Sequence, residues 1–262
     1  MSDDQPVIYE STDGVATITL NRPEALNAMT QGLMGGISDA INKVREDQSV
    51  RVLVLTGNGR GFCAGADLSQ VADGTSNSEG DNEDTFNTAM RDLTDCPVPT
   101  IAKINGAAAG GGFGLALACD ISIACESAFF VATFGPKLGI VPDMGATWSI
   151  PTRAGRARAL GITLLGERIT ATQAAEWGLI WSTVADDKLD AEVARIASIL
   201  KRSSPSTSTR IRQTIDAAVH NTFSQQLDLE MEHQAVLIPR NMQAGAQAFM
   251  EKREPEFGPE RG

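Results

Sequence analysis

Two glycine-rich segments decide how this sequence is interpreted: residues 56–68, TGNGRGFCAGADL, and residues 105–115, NGAAAGGGFGL. Each of them follows an apolar run, residues 50–56 and residues 99–105, of the kind found in strands that are buried on both faces. Glycine allows backbone conformations that are closed to other residues and lets a ligand approach the main chain closely. We therefore predict two strand-to-loop transitions whose backbone groups are available for binding.

The first segment allows an alternative interpretation as a dinucleotide-binding loop. Residues 59–64 match the pattern G-x-G-x-x-G/A after a strand, but that motif requires a helix directly after the loop. Here the loop continues to Asp67, and an acidic stretch follows at residues 73–84, for which we predict a mobile surface loop. The context therefore disfavours dinucleotide binding.

The second segment contains three consecutive glycines, Gly110 to Gly112. They could serve tight packing where a strand meets a helix, or they could expose the first N–H groups of that helix to a ligand. Those N–H groups have no partner within the helix, and the helix dipole favours negative charge near them. The sequence leaves both interpretations open.

The remaining pattern alternates strands and helices first and becomes helical later, which is typical of an α/β core with a helical C-terminal part. We predict strands at residues 7–10, 15–21, 50–56, 99–105, 120–125 and 128–133. We predict helices at residues 24–46, 115–118, 171–177, 186–202, 205–220, 223–238 and 242–252, a second helix that ends near residue 94, and a mainly helical pattern from residue 154 onwards.

The charge and hydropathy of the 262 residues exclude two classes of partner. A formal net charge of -11 leaves no basic face for nucleic acid. No apolar stretch of about 18 residues is present, so we expect no membrane span. The acidic N-terminus lacks the apolar core of a secretory signal, which favours a cytoplasmic location. An anionic ligand would have to rely on local donors.

Cysteine and histidine usage narrows the chemistry. The four cysteines form no C-x-x-C pair, and only His220 and His233 could assist them in binding zinc. We therefore expect no metal site and reduced, mostly buried thiols. Because the first 219 residues contain no histidine, a Ser-His-Asp or Cys-His arrangement is disfavoured. If the chain carries a catalytic base, we expect a carboxylate.

Four motifs in order resemble the crotonase (enoyl-CoA hydratase/isomerase) superfamily. They are residues 20–27 (LNRPEALN), 61–68 (GFCAGADL), 105–112 (NGAAAGGG) and 249–257 (FMEKREPEF). The resemblance implies an α/β fold, a crotonase-like spiral of ββα units at residues 1–200, followed by a C-terminal helical trimerisation region at residues 201–262. It also implies a homotrimer or a dimer of trimers.

The resemblance further implies a binding site for an acyl-CoA thioester. The backbone N–H groups of Ala66 and Gly111 would bind the thioester carbonyl oxygen. Ala64, Asp67 and Leu68 would lie along the coenzyme A, although Asp67 could instead be a carboxylate that stabilises the loop. No cofactor beyond the coenzyme A moiety of the substrate is expected.

In the family that this sequence resembles, hydratases typically carry two glutamates that hold and activate water. The matching positions here are Gly114 and, with less certain spacing, Gly135. One carboxylate remains in a favourable place: Asp143, where isomerases of the superfamily carry an acidic residue. A single base suffices to move a proton between two carbons. Alternatively, Asp143 could only cap the helix that follows.

The expected function is therefore an acyl-CoA isomerase that stabilises a thioester enolate and uses Asp143 as acid and base. The motifs at residues 142–148, 156–161, 174–181 and 227–230 resemble the ring-1,2-epoxyphenylacetyl-CoA isomerases within the family. Either a double bond or a ring epoxide would be isomerised. The alternatives are an enoyl-CoA hydratase and a non-catalytic acyl-CoA-binding relative.

Overall fold

The structure, a computed structural model, describes residues 5–69 and 81–261. The strands are β1 (Val7–Thr12), β2 (Val15–Leu20), β3 (Val52–Gly57), β4 (Gly61–Cys63), β5 (Thr100–Ile104), β6 (Ala107–Ala109), β7 (Ile121–Cys125), β8 (Phe129–Val131), β9 (Ile169–Thr170) and β10 (Ser182–Val184). The α-helices are α1 (Gln31–Glu46), α2 (Asp81–Thr94), α3 (Gly111–Ala118), α4 (Ala146–Leu165), α5 (Ala171–Glu176), α6 (Leu189–Arg202), α7 (Pro205–Ala217), α8 (Phe223–Leu237) and α9 (Gln243–Met250).

A six-stranded sheet in the order β1-β2-β3-β5-β7-β10 forms the larger layer. Only β1 and β2 pair in an antiparallel direction; the other neighbours are parallel. Asp13 and Gly14, both at positive φ, connect β1 to β2, as the common two-residue hairpin turn requires. Every residue of β3 is buried, which confirms the prediction of a strand covered on both faces.

A smaller sheet in the order β4-β6-β8-β9 lies beside the first. The chain passes from a strand of the large sheet to a strand of the small sheet and then to a helix, three times in succession: β3-β4-α2, β5-β6-α3 and β7-β8-α4. This alternation is a spiral of ββα units, so the fold class expected from the resemblance is confirmed.

The predicted helix at residues 24–46 is broken near its start. A short 3₁₀ turn covers Pro23–Ala25, and α1 begins only at Gln31. Leu26 and Asn27 lie between them at positive φ, where a right-handed helix cannot continue. Thr30 accepts a hydrogen bond from the Leu33 N–H and so caps α1.

Other boundaries differ from the sequence interpretation as well. Residues 73–80 of the expected surface loop lie outside the described residues. Residues 81–84 form the first turn of α2, so the prediction of a loop is wrong for these four residues. Helix α3 begins at Gly111, four residues before the predicted start, and α4 begins at Ala146. Glycines beside the first turn of each helix concealed these starts, because glycine is a poor helix former.

The C-terminal helices carry a large exposed apolar face. Its exposed members on or beside α7, α8 and α9 are Ile211, Ile215, Val219, Phe223, Leu227, Met231, Ile238, Met242, Phe249 and Met250. Monomeric proteins rarely expose so many neighbouring apolar side chains.

Among residues 5–69 and 81–261, every helix is too short or too polar to cross a lipid bilayer.

The last residues return to the N-terminal half of the fold. Arg261 donates hydrogen bonds to the carbonyl oxygens of Val44 and Arg45 at the end of α1, and of Asp47 and Val50 beyond it, at 2.5, 3.3, 2.7 and 2.6 Å. The last carbonyls of a helix have no partner within it, and a cation is favourable there. Arg261 therefore joins the C-terminus to α1.

Replacing Arg261 with alanine should lower the free energy of unfolding by about 2 kcal/mol, since partly buried carbonyls lose charged donors. Urea denaturation at fixed protein concentration measures this. Arg253→Ala is the control, because that guanidinium pairs with Glu251 at the surface and should change stability by about 0.5 kcal/mol or less. Equal effects of the two substitutions would contradict the role of Arg261.

Candidate active site

The two glycine-rich segments meet because of one strand pairing. In the small sheet, β4 and β6 are parallel, with Gly61 opposite Ala107 and Cys63 opposite Ala108. The carboxyl ends of parallel strands emerge at the same edge of a sheet, which is where α/β folds bind ligands. The loop after β4 and the start of α3 after β6 therefore lie side by side.

Hydrogen bonds to Met29 fix the direction of the peptide at Ala66. The N–H of Met29 donates to the oxygen of Gly65 at 2.7 Å, and the N–H of Asp67 donates to the oxygen of Met29 at 3.0 Å. These two bonds form a parallel bridge between Met29 and Ala66. In such a bridge the central residue points its own N–H away from the partner. The Ala66 N–H is therefore directed away from Met29, and the residue is exposed.

The glycine triplet serves close packing on three sides. Gly110 has φ +52 and donates to the oxygen of Val131 at 2.9 Å. A Cβ on Gly112 would overlap the carbonyl oxygen of Cys63 in β4. A Cβ on Gly111 would overlap Met29 and lie 2.9 Å from Met144 Cγ. Gly110 is thus required for its backbone conformation and Gly112 for close packing against β4, while a Cβ at Gly111 would have to displace the Met29 and Met144 side chains.

The triplet also leaves a donor beside Ala66. Gly111 is the first residue of α3, so its N–H has no partner within the helix. The Gly111 nitrogen lies 3.3 Å from a Cβ built on Gly65. The Ala66 nitrogen is two bonds from Gly65 Cα, so the two amide nitrogens lie within about 7 Å of each other. The packing and the ligand interpretations of the triplet are therefore compatible.

The carboxylate of Asp143 lies near the Gly111 end of this pair of amides. Its Oδ1 lies 3.7 Å from a Cβ built on Gly111. Burial raises the pKa of Asp143 above its ordinary value, and a hydrogen bond with its own backbone opposes that effect. The residue is nevertheless solvent-exposed by surface area, so neighbouring protein atoms on one side of the carboxyl group account for this shift.

The structure does not support the interpretation of Asp143 as a helix cap. Helix α4 begins at Ala146, its N-cap residue is Gly145, and no side chain caps it. The backbone oxygen of Asp143, not its carboxylate, accepts from the Ala146 N–H at 2.9 Å. The carboxylate is thus not used to start α4.

Asp67 makes contacts that fit the loop-stabilising interpretation. Its Oδ2 accepts from Arg22 Nη2 at 2.8 Å, and its Oδ1 accepts from the N–H and hydroxyl of Ser69. Ser69 and Arg22 lower the pKa of this carboxyl. The Ala64 N–H is also used, by the oxygen of Leu26, whereas Leu68 is exposed. Coenzyme A contacts of these three residues stay a prediction.

Asn27 and Asn105 are functional scaffold residues whose part the sequence did not reveal. Asn27 is fully buried and has a positive φ. Its side-chain nitrogen donates to the carbonyl oxygens of Asn58 and Gly61 at 3.0 and 2.8 Å, and its side-chain oxygen accepts from the Arg22 N–H. Asn105 donates to the oxygen of Gly59 at 2.9 Å. The two side chains hold both ends of the turn between β3 and β4. An asparagine at the end of the LNRPEALN motif was the available signal.

The positions of the family's hydratase glutamates are occupied differently. A Cβ on Gly114 would overlap the carbonyl oxygen of Met144, so a larger side chain has no room in this arrangement. Gly135 lies in a π-helical turn, Phe134–Leu138, and a Cβ there would be 3.2 Å from the oxygen of Thr163. Among residues 5–69 and 81–261, no group of three or more His, Cys, Asp or Glu side chains could hold a metal ion.

Two cavities lie away from this site. One of about 190 Å³ separates α7 from α8 beside His233, and one of about 420 Å³ separates the large sheet from α6 beside Lys103 and Lys201. Neither cavity touches Ala66, Gly111 or Asp143.

All four cysteines are buried and unpaired, and burial raises the pKa of Cys63 to about 12.

Known proteins match this chain over almost its whole length. The model of the enoyl-CoA hydratase/isomerase family matches residues 10–260. A 1,2-epoxyphenylacetyl-CoA isomerase of Escherichia coli is 42% identical over 249 residues, 93% of this chain and 95% of the relative. A probable enoyl-CoA hydratase of Rhodobacter capsulatus is 38% identical over 95% of this chain and 96% of the relative. The crystal structure of an enoyl-CoA hydratase from a Polaromonas species matches with a TM-score of 0.91 and 31% identity, covering 96% of this chain and 99% of that one.

Replacing Asn27 with alanine should lower the free energy of unfolding by about 2–4 kcal/mol. The buried Gly61 carbonyl loses its 2.8 Å bond from Asn27 and keeps only the 3.4 Å bond from Asn105, and alanine tolerates the left-handed backbone poorly. Asn58→Ala is the matched control, because its side-chain amide donates to Asn21 at the surface and its loss should have little effect. Urea denaturation of both variants gives the comparison, and equal stability of the two would show that Asn27 does not hold the loop.

Proposed function

Because the chain belongs to the enoyl-CoA hydratase/isomerase (crotonase) family, we propose that it is an acyl-CoA isomerase in which Asp143 is the acid and base. The observation that carries this proposal is the position of the Asp143 carboxylate beside Gly111. This carboxylate does not cap the following helix, and its pKa is raised. The relative from Escherichia coli named 1,2-epoxyphenylacetyl-CoA isomerase supports the choice of an isomerase.

In the proposed reaction the thioester carbonyl oxygen accepts hydrogen bonds from the N–H groups of Ala66 and Gly111. Removing a proton from a carbon conjugated with that carbonyl moves negative charge onto the oxygen. Fixed donors stabilise this charge more than the neutral ground state. Each donor of this kind contributes about 2.7–4 kcal/mol to lowering the barrier.

Asp143 would take the proton from one carbon and return it to another, so that the double bond moves and no atom is gained or lost. A carboxylate with a raised pKa holds the proton between the two steps better than an ordinary one. For a ring epoxide, the same group would move a proton while the ring rearranges. The reaction needs no cofactor beyond the coenzyme A of the substrate.

An enoyl-CoA hydratase is the second candidate, because several similar proteins are named as probable hydratases. Against it stands position 114, where the Met144 carbonyl fills the space that a glutamate would need. A hydratase would therefore have to orient its water with another group. Incubation with crotonyl-CoA distinguishes the two, since rapid loss of the enoyl absorbance would favour hydration.

We also propose that the chain assembles as a homotrimer or a dimer of trimers. The exposed apolar face of α7, α8 and α9 supports an assembly of copies of this chain. Coenzyme A binding along Ala64, Asp67 and Leu68 and a cytoplasmic location belong to the same proposal.

Asp143→Asn should lower kcat for isomerisation by about 10²–10⁴-fold, because the amide cannot accept the proton. In the wild type, kcat/KM should fall on the acidic side of the pH profile. The pKa that governs this fall should be higher than that of an ordinary aspartate, because burial raises the pKa of Asp143. The fall occurs as the base becomes protonated and should be missing from the residual activity of the variant. Product analysis over a panel of unsaturated and ring-epoxide acyl-CoA thioesters provides the rates.

Asp39→Asn, which changes an exposed carboxylate on α1, is the control and should retain the wild-type rate. Wild-type turnover by Asp143→Asn would show that Asp143 is not the base.

Ile215→Asp should shift the protein from three or six associated chains toward a single chain in sedimentation experiments. Ile215 is 65% exposed on α7, and a charge buried at an apolar interface is costly. Thr172→Asp, on exposed α5 surface, should leave the assembly unchanged. A wild-type protein that sediments as one chain would contradict the proposed assembly.

A further inference from the structure

Asp143 belongs to a tight turn that the backbone does not favour by itself. The oxygen of Asp143 accepts from the N–H of Ala146, and the two residues between them, Met144 and Gly145, have φ +51 and +71. This is the pattern of a type I′ turn. Glycine adopts it readily, whereas a methionine in the left-handed region is strained, because its Cβ crowds the following carbonyl oxygen. Something outside the turn must therefore hold Met144 in place.

Helix α3 provides that support because two of its residues are glycines, which leave room for Met144. Gly111 and Gly114 are three residues apart and so share one face of the helix. A Cβ on Gly111 would lie 2.9 Å from Met144 Cγ. A Cβ on Gly114 would overlap the Met144 carbonyl oxygen and lie 2.9 Å from Met144 Cβ. Met144, with only 6% of its surface exposed, thus occupies the groove that these two glycines leave.

The same packing determines the position of the neighbouring carboxylate. Asp143 is the first residue of the turn and is joined by one peptide bond to Met144, and its Oδ1 lies 3.7 Å from a Cβ built on Gly111. We propose that Gly114 and Met144 are positioning residues, which hold Asp143 against the N-terminus of α3. This inference rests on the proposed function, because it assigns them an effect on the proposed base.

Gly114→Ala tests the inference most directly. The added methyl group must displace the Met144 carbonyl, and the turn carries Asp143 with it. We expect kcat to fall by about a hundredfold with little change in KM, as a misplacement of about 1 Å can cause. We also expect the acidic limb of the pH profile to move to lower pH, because a displaced and more solvated carboxyl loses the burial that raises its pKa.

A double-mutant cycle with Asp143→Asn separates positioning from general damage. If Gly114 acts through Asp143, adding Gly114→Ala to Asp143→Asn should lower the residual rate no further. Gly161→Ala is the matched control, since that helical glycine has no atom within 4 Å of an added Cβ, and it should retain the wild-type rate and profile.

The inference is overturned if Gly114→Ala keeps the wild-type rate and pH profile, or if its effect is equally large in the Asp143→Asn background. If Gly114→Ala does not fold, Met144→Gly takes its place under the same criteria, since it removes the packed side chain without adding an atom. Failure of the proposed function is seen separately, as wild-type turnover by Asp143→Asn alone.

Discussion

The parallel pairing of β4 with β6 is the constraint on which the candidate site depends. It involves a few residues of a small sheet, yet it brings together two loops that are separated by more than forty positions in the sequence. Without it, the peptide at Ala66 and the first turn of α3 would be unrelated surface features. The large sheet supports this pairing, because β3 leads into β4 and β5 leads into β6. The repeated ββα unit thus has a functional consequence.

The site is shaped by the absence of side chains. Gly112 lets α3 approach β4, and Gly111 and Gly114 let the Met144 turn approach α3. Glycine is usually explained by its flexibility, but in these places the structure uses its small size. Helix α3 loses intrinsic stability by carrying several glycines, and burial of the helix in the core offsets that loss. Backbone amides are left as the donors of the site.

The repeated strand–helix pattern could be predicted from the sequence because buried strands such as β3 are continuously apolar. The break at Asn27 could not, since it depends on hydrogen bonds to Gly61 and Asn58, which are distant in sequence. The start of α3 at Gly111 could not be predicted either, because the glycines of its first turn are poor helix formers. The prediction of residues 66, 111 and 143 came from the resemblance; their closeness rests on tertiary contacts that no local pattern contains.

The proposed catalysis requires that the amides of Ala66 and Gly111 bind one carbonyl oxygen. A crystal structure with a bound acyl-CoA thioester, or with a non-reactive analogue that keeps the carbonyl group, measures this directly. We expect a carbonyl oxygen about 2.7–3.1 Å from both nitrogen atoms. A thioester bound elsewhere, or an oxygen bonded to neither nitrogen, would contradict the proposed role of these amides.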